Sequence, residues 1–213
     1  MNNMTNRIKG LYLITDYHLC EKVGLVPAVA AAIQGGANMV QYRNKYATRD
    51  RKLWEVQDLI TLCRPLGIPL IVNDDIEIAL ESGADGVHLG GEDGSIKAAR
   101  EKLGEKAIIG ASCYDSIESA IQAAADGASY LAFGRFFPSQ TKPDAVTAPI
   151  EIIEQIKIEL GSRANLPIIA IGGINQQNAA SLIKAGADMV AVVNAVLGAE
   201  NIEKASREIS TLF

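Results

Sequence analysis

The chain has 213 residues, a net charge of −5 and three cysteines, which suits one domain whose core buries about seventy per cent of the unfolded surface. Such a charge gives no broad basic footprint for nucleic acid, so any anion site must be a local gathering of cations. Cys20, Cys63 and Cys113 are odd in number, far apart and without a CxxC pair, which argues against a disulfide framework or a zinc site and for a reducing cytoplasm.

The polar opening from Met1 to Arg7 lacks the apolar core of a signal peptide, and no later run is long enough to span a bilayer, so no membrane partner is expected. The first apolar run, Leu11 to Thr15, reads as a strand followed by Asp16, Tyr17 and His18, with nothing to distinguish His18 from a loop residue. A second run starts at Met39 and closes on Gln41-Tyr-Arg-Asn-Lys45. Strand alternation puts Gln41, Arg43 and Lys45 on one face and Tyr42 and Asn44 on the other. Two cations and an amide suit a polyanion, because a guanidinium fork and an ammonium share phosphate oxygens while the amide fixes orientation. Thr48 to Pro65 then reads as a helix whose Leu53, Trp54, Val56, Leu59, Ile60 and Leu62 pack inward.

The third strand, Pro69 to Asn73, delivers Asn73 and Asp74, and the fourth, around Val87, is followed by Glu92 and Asp93. His88 shares a face with Gly86 and Gly90; it reads as a hydrogen-bonded core histidine rather than a base, since no nucleophile or acid stands at matching spacing. Ala107 to Ser112 forms the fifth strand, with Cys113 turned away from Ser112 into packing. The irregular stretch from Arg135 to Ala148 follows the sixth and holds Ser139, Gln140, Thr141 and Lys142, as a lid or ligand clamp would. A helix over Ile150 to Leu160 precedes the seventh strand, Pro167 to Gly173, whose Gly172-Gly173 would offer backbone N–H groups at a helix start. The eighth, around Val190, ends at Val193-Asn194.

Gly36-Ala37, Gly83-Ala84, Gly127-Ala128 and Gly186-Ala187 each follow an amphipathic stretch and precede an apolar run. In this repeat the glycine supplies a left-handed helix cap and the alanine permits tight packing. Eight strand-helix units of about 27 residues match the shortest practical eightfold barrel, whereas an open doubly wound sheet would not demand a fourfold repeat. The expected fold is α/β, a (β/α)₈ TIM barrel, with residues 1–213 as a single catalytic domain. Its active site would lie at the carboxyl ends of the strands. There Asp74 and Asp93, each a reasonable N-cap alone, form a carboxylate pair suited to Mg²⁺. Anion and metal binding without an acid-base pair favours chemistry driven by phosphate departure.

Val72-Asn-Asp74, Gly86-Val-His-Leu-Gly90 with Glu92-Asp93, Ile109-Gly-Ala-Ser112, Phe136-Phe-Pro-Ser-Gln-Thr-Lys142 and Ala170-Ile-Gly-Gly-Ile174 occur in the order found in thiamine-phosphate synthases, and the chain resembles that family over nearly its whole length. The resemblance implies a transferase that joins hydroxymethylpyrimidine diphosphate to a thiazole phosphate, with or without a carboxylate on the thiazole. The products would be thiamine phosphate and diphosphate, formed by a dissociative, Mg²⁺-dependent route. It implies that Gln41, Tyr42, Arg43, Asn44, Lys45, Asn73, Ser112 and Lys142 hold the pyrimidine diphosphate. Ser139, Gln140, Thr141, Gly173, Val193 and Asn194 would hold the thiazole phosphate, and Asp74 and Asp93 the metal. Arg43, Ser112 and Lys142 would act at the reacting centre.

Gly91, Ser139 and Asn194 depart from the glutamine, threonine and serine usual in the family; Ser139 keeps a hydroxyl, whereas Gly91 and Asn194 change the side chains at the metal loop and the thiazole-phosphate end. A thiazole tautomerase would need a histidine where Arg135 stands. A non-catalytic precursor-binding protein would not need Asp74, Asp93 and Lys142 together, and a sugar-phosphate epimerase would need paired acid and base residues. The expected compartment is the cytoplasm, and the sequence leaves monomer and homo-oligomer both open.

Overall fold

Eight parallel strands close into a barrel in chain order in the computed structural model, which describes residues 8–91, 93–138, 147–161 and 165–213. They are β1 (Gly10–Ile14), β2 (Ala37–Tyr42), β3 (Leu70–Asn73), β4 (Gly86–Leu89), β5 (Ile108–Tyr114), β6 (Tyr130–Phe133), β7 (Ile168–Ile171) and β8 (Met189–Val192). Between and after them run α1 (Tyr17–Cys20), α2 (Leu25–Gln34), α3 (Arg49–Cys63), α4 (Ile76–Ser82), α5 (Ile96–Leu103), α6 (Ile117–Ala125), α7 (Ile152–Leu160), α8 (Ala179–Lys184), α9 (Asn194–Leu197) and α10 (Ile202–Ser210). This is the expected (β/α)₈ barrel. Among the described residues no helix is long and apolar enough to cross a membrane.

Two-residue alternation sorts each strand between two cores. Leu11, Leu13, Val40, Leu131, Phe133, Val190 and Val192 pack outward beneath the helices. Tyr12, Ile14, Met39, Tyr130, Ala132, Met189 and Ala191 fill the barrel interior. Since each buried large apolar side chain contributes about 1.5–3 kcal/mol, both faces of the sheet hold the fold.

The Gly-Ala repeat has the geometry its composition implies: Gly36, Gly83, Gly127 and Gly186 all have positive φ, between 70° and 104°, which a Cβ would oppose. A third repeat position also emerges. Asn38, Asp85, Ser129 and Asp188 each accept the backbone N–H at the start of the preceding odd-numbered strand, from Leu11, Leu70, Ile109 and Ile168, over 2.8–3.1 Å. These bonds tie the barrel's lower rim, leaving the opposite rim to function.

Thr48 caps α3 by accepting from the Arg51 N–H, and the helix yields to a short 3₁₀ turn at Arg64–Leu66, where Pro65 removes a donor. Trp54 corrects the expected inward packing. The buried stripe of α3 is Val56, Leu59, Ile60 and Cys63, and Trp54 stands outside it, 56% exposed with the Arg51 guanidinium over its ring.

Candidate active site

A cavity of about 400 Å³ opens at the carboxyl ends of the strands, lined by side chains from all eight. After β2, β3, β4, β7 and β8 the residues that follow the last apolar positions sit here, because the pleat turns them inward just as the strand leaves the barrel. Gln41, Arg43, Lys45, Asn73, Asp74, Asp93, Ser112, Gly173, Val193 and Asn194, all singled out from the sequence, line this one cavity.

Tyr42 and Asn44 are corrected. Alternation sends them to the opposite face, where the Tyr42 hydroxyl and the Asn44 side-chain N–H donate to Glu55 Oε2 at 2.7 and 3.0 Å. Glu55 also takes a bond from Arg51 at 2.6 Å. Burial acts to raise its pKa, but the three donors outweigh it and hold the carboxyl below its ordinary value. The trio thus braces β2 from behind, while the Arg43 N–H donates to Thr15 Oγ1 at 2.8 Å and fixes the strand end to β1. The Arg43 guanidinium stands 3.7 Å from the Asp16 carboxylate.

Asp74 and Asp93 are both released from capping. Asp75 caps α4 and Ser95 caps α5 through their own side chains, so the two earlier carboxylates face the cavity instead. Asp74 takes a left-handed conformation with φ of 66° and anchors its N–H to the His88 carbonyl at 2.8 Å. Burial, then the neighbouring Asp93 carboxylate, raises the Asp74 pKa, while Lys45 at 3.4 Å works the other way. Two mutually repelling oxygen donors beside water-accessible space suit a hard divalent cation that takes its remaining ligands from water or substrate oxygens. Among the described residues no group of three or more His, Cys, Asp or Glu gathers as a metal cage.

His88 points into the barrel as a hydrogen-bonded residue, its Nε2 2.9 Å from Ser112 Oγ. Cys113 is fully buried in the outer core. The expected helix start at Gly172-Gly173 is corrected: β7 ends at Ile171 and α8 begins only at Ala179. The intervening loop is held by Asn178, which accepts the Asn175 N–H and donates to the Gly173 carbonyl. A Cβ on Gly173 would lie 2.4–2.5 Å from the carbonyls of Phe137 and Pro138, so this glycine lets the loops after β6 and β7 touch. The helix that opens at the cavity is α9, with Asn194 at its first position, where N–H groups lack intrahelical acceptors.

Glu92, Ser139, Gln140, Thr141 and Lys142 lie outside the described residues, as does most of the stretch expected to form a lid. Its ends are tethered: the Phe136 and Phe137 N–H groups donate to Ile171 and Gly172, and the Ala148 N–H to Arg135. Sequence reasoning missed Tyr12, which lines the cavity, and Tyr130 below it. A hydroxyl-bearing aromatic at an inward strand position requires a buried partner, which is the signal that could have found them.

The model of the family described as thiamine monophosphate synthase matches residues 11–196. A thiamine-phosphate synthase of Methylococcus capsulatus is 52% identical over 205 residues, spanning 96% of this chain and 89% of that protein. One from Nitrosospira multiformis is 48% identical over 206 residues, spanning 97% and 86%. Among solved structures, thiamine phosphate pyrophosphorylase from Pyrococcus furiosus superposes with a TM-score of 0.87 at 38% identity, covering 99% of this chain and 97% of that one.

Proposed function

The chain belongs to the thiamine monophosphate synthase family and is a transferase, and on that premise we propose that it joins hydroxymethylpyrimidine diphosphate to a thiazole phosphate. The single observation that carries the reading is the polarity of one cavity rim. Arg43 and Lys45 leave β2 beside the Asp74 and Asp93 carboxylates, with Lys45 bridging the two sets at 3.4 Å from Asp74. A diphosphate brings several anionic oxygens, which this arrangement accommodates with cations on one side and a metal-binding acidic pair on the other.

In the proposed reaction the bond between the pyrimidine methylene carbon and the diphosphate oxygen breaks, its electron pair leaving with the diphosphate. The aminopyrimidine ring delocalises the methylene cation until the thiazole nitrogen lone pair forms the new carbon–nitrogen bond. Arg43, Lys45 and Lys142 stabilise the departing charge, and Ser112 and Asn73 orient it. Mg²⁺ held by Asp74 and Asp93 would supply further neutralisation of the leaving group. Gln41, on β2 just before Arg43, orients the pyrimidine. Gly173, Val193 and Asn194, with Ser139, Gln140 and Thr141, hold the thiazole phosphate, where the open N–H groups of α9 favour an anion. No general base is required in this sequence of steps, in keeping with the hydrogen-bonded role of His88.

We place the reaction in the cytoplasm, where buried free thiols at Cys20, Cys63 and Cys113 would remain reduced. Purified protein given both substrates and Mg²⁺ should release thiamine phosphate and diphosphate in equal amounts. Product without diphosphate, or diphosphate release without condensation, would contradict the proposal.

A further inference from the structure

A row of hydrogen bonds crosses the barrel at the cavity floor, where Gln41, Tyr12, His88 and Ser112 line the cavity, and joins two of its walls. Gln41 Nε2 donates to the Tyr12 hydroxyl at 2.8 Å, and Tyr12 and Tyr130 share a hydroxyl-to-hydroxyl bond of 2.9 Å. Tyr130 meets His88 Nδ1 at 2.9 Å, and His88 Nε2 meets Ser112 Oγ at 2.9 Å. The row begins on β2, passes through β1, β6 and β4, and ends on β5. Tyr12 and Tyr130 are 1% and 0% exposed, so their hydroxyl hydrogens must be satisfied within the row.

Each hydroxyl carries one hydrogen, which makes the row directional. The Gln41 amide nitrogen can only donate, so Tyr12 accepts there and passes its own hydrogen to Tyr130. Tyr130 then donates to His88 Nδ1, which must be the unprotonated ring nitrogen. The imidazole hydrogen therefore lies on Nε2 and points at Ser112 Oγ, leaving the Ser112 hydrogen free to turn into the cavity. The opposite sense would place the imidazole hydrogen on Nδ1 and turn the Ser112 hydrogen toward His88. Only the first sense makes Ser112 a donor toward an anionic ligand.

The chain around the row is shaped for it. A Cβ on Gly110 would lie 2.1 Å from Tyr130 Cζ and 2.5 Å from His88 Nδ1, so glycine at this point of β5 is what admits both rings. The imidazole and phenol stack at 5.6 Å with 16° between planes, and Tyr12 meets Tyr130 edge-on at 6.0 Å. Burial pushes both phenols well above their ordinary pKa, which keeps them as hydroxyl groups.

We infer that Tyr130 and His88 are positioning residues: Tyr130, with Tyr12 packed edge-on against it, holds the His88 imidazole as its Nε2–H tautomer, and His88 thereby leaves the Ser112 hydroxyl hydrogen aimed at the ligand. The functional half of this inference rests on the proposed role of Ser112 toward the diphosphate substrate. The tautomer half does not.

The test uses the full chain labelled with ¹⁵N-histidine. Only two histidines are present, and a His18→Gln background leaves His88 alone in long-range ¹H–¹⁵N correlation spectra. The wild-type ring should show hydrogen on Nε2 and none on Nδ1; hydrogen on Nδ1 would overturn the directional row without requiring any variant at row positions. Tyr12→Phe should keep the tautomer, because Tyr130 still donates to His88, whereas Tyr130→Phe should release it to a mixture. In kinetics, Tyr130→Phe should lower kcat/KM for the pyrimidine diphosphate on the order of ten-fold, as expected for one lost hydrogen bond. The KM for the thiazole phosphate should stay within about two-fold. In a Ser112→Ala background the same substitution should cost almost nothing more, since the effect travels through Ser112. A full additional loss there would show that Tyr130 acts only on the fold. Failure of wild-type condensation would remove the proposed function and the kinetic role with it, while the spectra would still decide the tautomer.

Discussion

Replacing Arg43 with alanine isolates the contribution of the cationic rim, because the backbone there is held independently. The Arg43 N–H donates to Thr15 Oγ1 at 2.8 Å, and the strand is braced behind by Tyr42, Asn44 and Glu55; none of these contacts involves the guanidinium. The side chain is only 20% exposed, and its carboxylate neighbour Asp16 stands 3.7 Å away, too far for a close bidentate pair. The fork is therefore available to a ligand. Loss of one charge-assisted hydrogen bond to the leaving diphosphate is worth about 1.5–3 kcal/mol, or roughly ten- to two-hundred-fold in kcat/KM. Arg43→Lys should recover part of that, since charge persists without the fork. Steady-state kinetics with each substrate varied in turn, alongside circular dichroism to verify folding, would measure both. Wild-type kcat/KM in Arg43→Ala would refute the reasoning and leave Arg43 as a solvated strand end tied to Asp16.

Asp85→Ala should lower unfolding free energy by about 1–2 kcal/mol in urea titrations, because the Leu70 N–H loses its acceptor at the lower rim. Asp85→Asn, which keeps an acceptor oxygen, should cost less; equal losses would show that the charge rather than the bond matters. Asn194→Ala should raise the KM for the thiazole phosphate several-fold, by about 1 kcal/mol, and leave that for the pyrimidine diphosphate unchanged. No effect on either would assign the phosphate to backbone N–H groups of α9. Burial raises the Cys63 and Cys113 thiols from 9.0 to about 12. Both folded and unfolded chains keep these protons below about pH 9, and between about 9 and 12 only the unfolded chain loses them, so stability should fall across that window. A denaturation midpoint that stays flat through it would contradict the burial of these thiols.

Periodicity and the Gly-Ala repeat made the barrel legible because both are local: a helix end, a left-handed glycine and the next strand occupy a handful of consecutive residues. The third repeat position was not legible, since Asp85 and Asp188 reach across to strands that begin fifteen and twenty residues earlier. At the site, alternation read Gln41, Arg43 and Lys45 correctly and already placed Tyr42 and Asn44 on the other face; grouping all five with the ligand followed the motif rather than the pleat. Asp74 and Asp93 were ambiguous between cap and ligand because a cap shifts with a single residue of register, and Asp75 and Ser95 stood close enough to take that role. The row from Gln41 to Ser112 depends on Tyr12 and Tyr130, separated by 118 positions, a juxtaposition that only barrel closure creates. Trp54 was misread since an apolar residue beside a helical stripe looks like part of it until the stripe's centre is known.

The most direct test of the central claim is metal-dependent turnover in the wild type and in Asp93→Asn. Both substrates are supplied while diphosphate and thiamine phosphate are quantified against Mg²⁺ concentration. Turnover should vanish on chelation and return with Mg²⁺, and Asp93→Asn should need more Mg²⁺ for half-maximal rate, because losing a carboxylate weakens the hold on the cation but leaves an oxygen. Turnover that persists in chelator, or an Asp93→Asn enzyme with wild-type Mg²⁺ dependence, would contradict it.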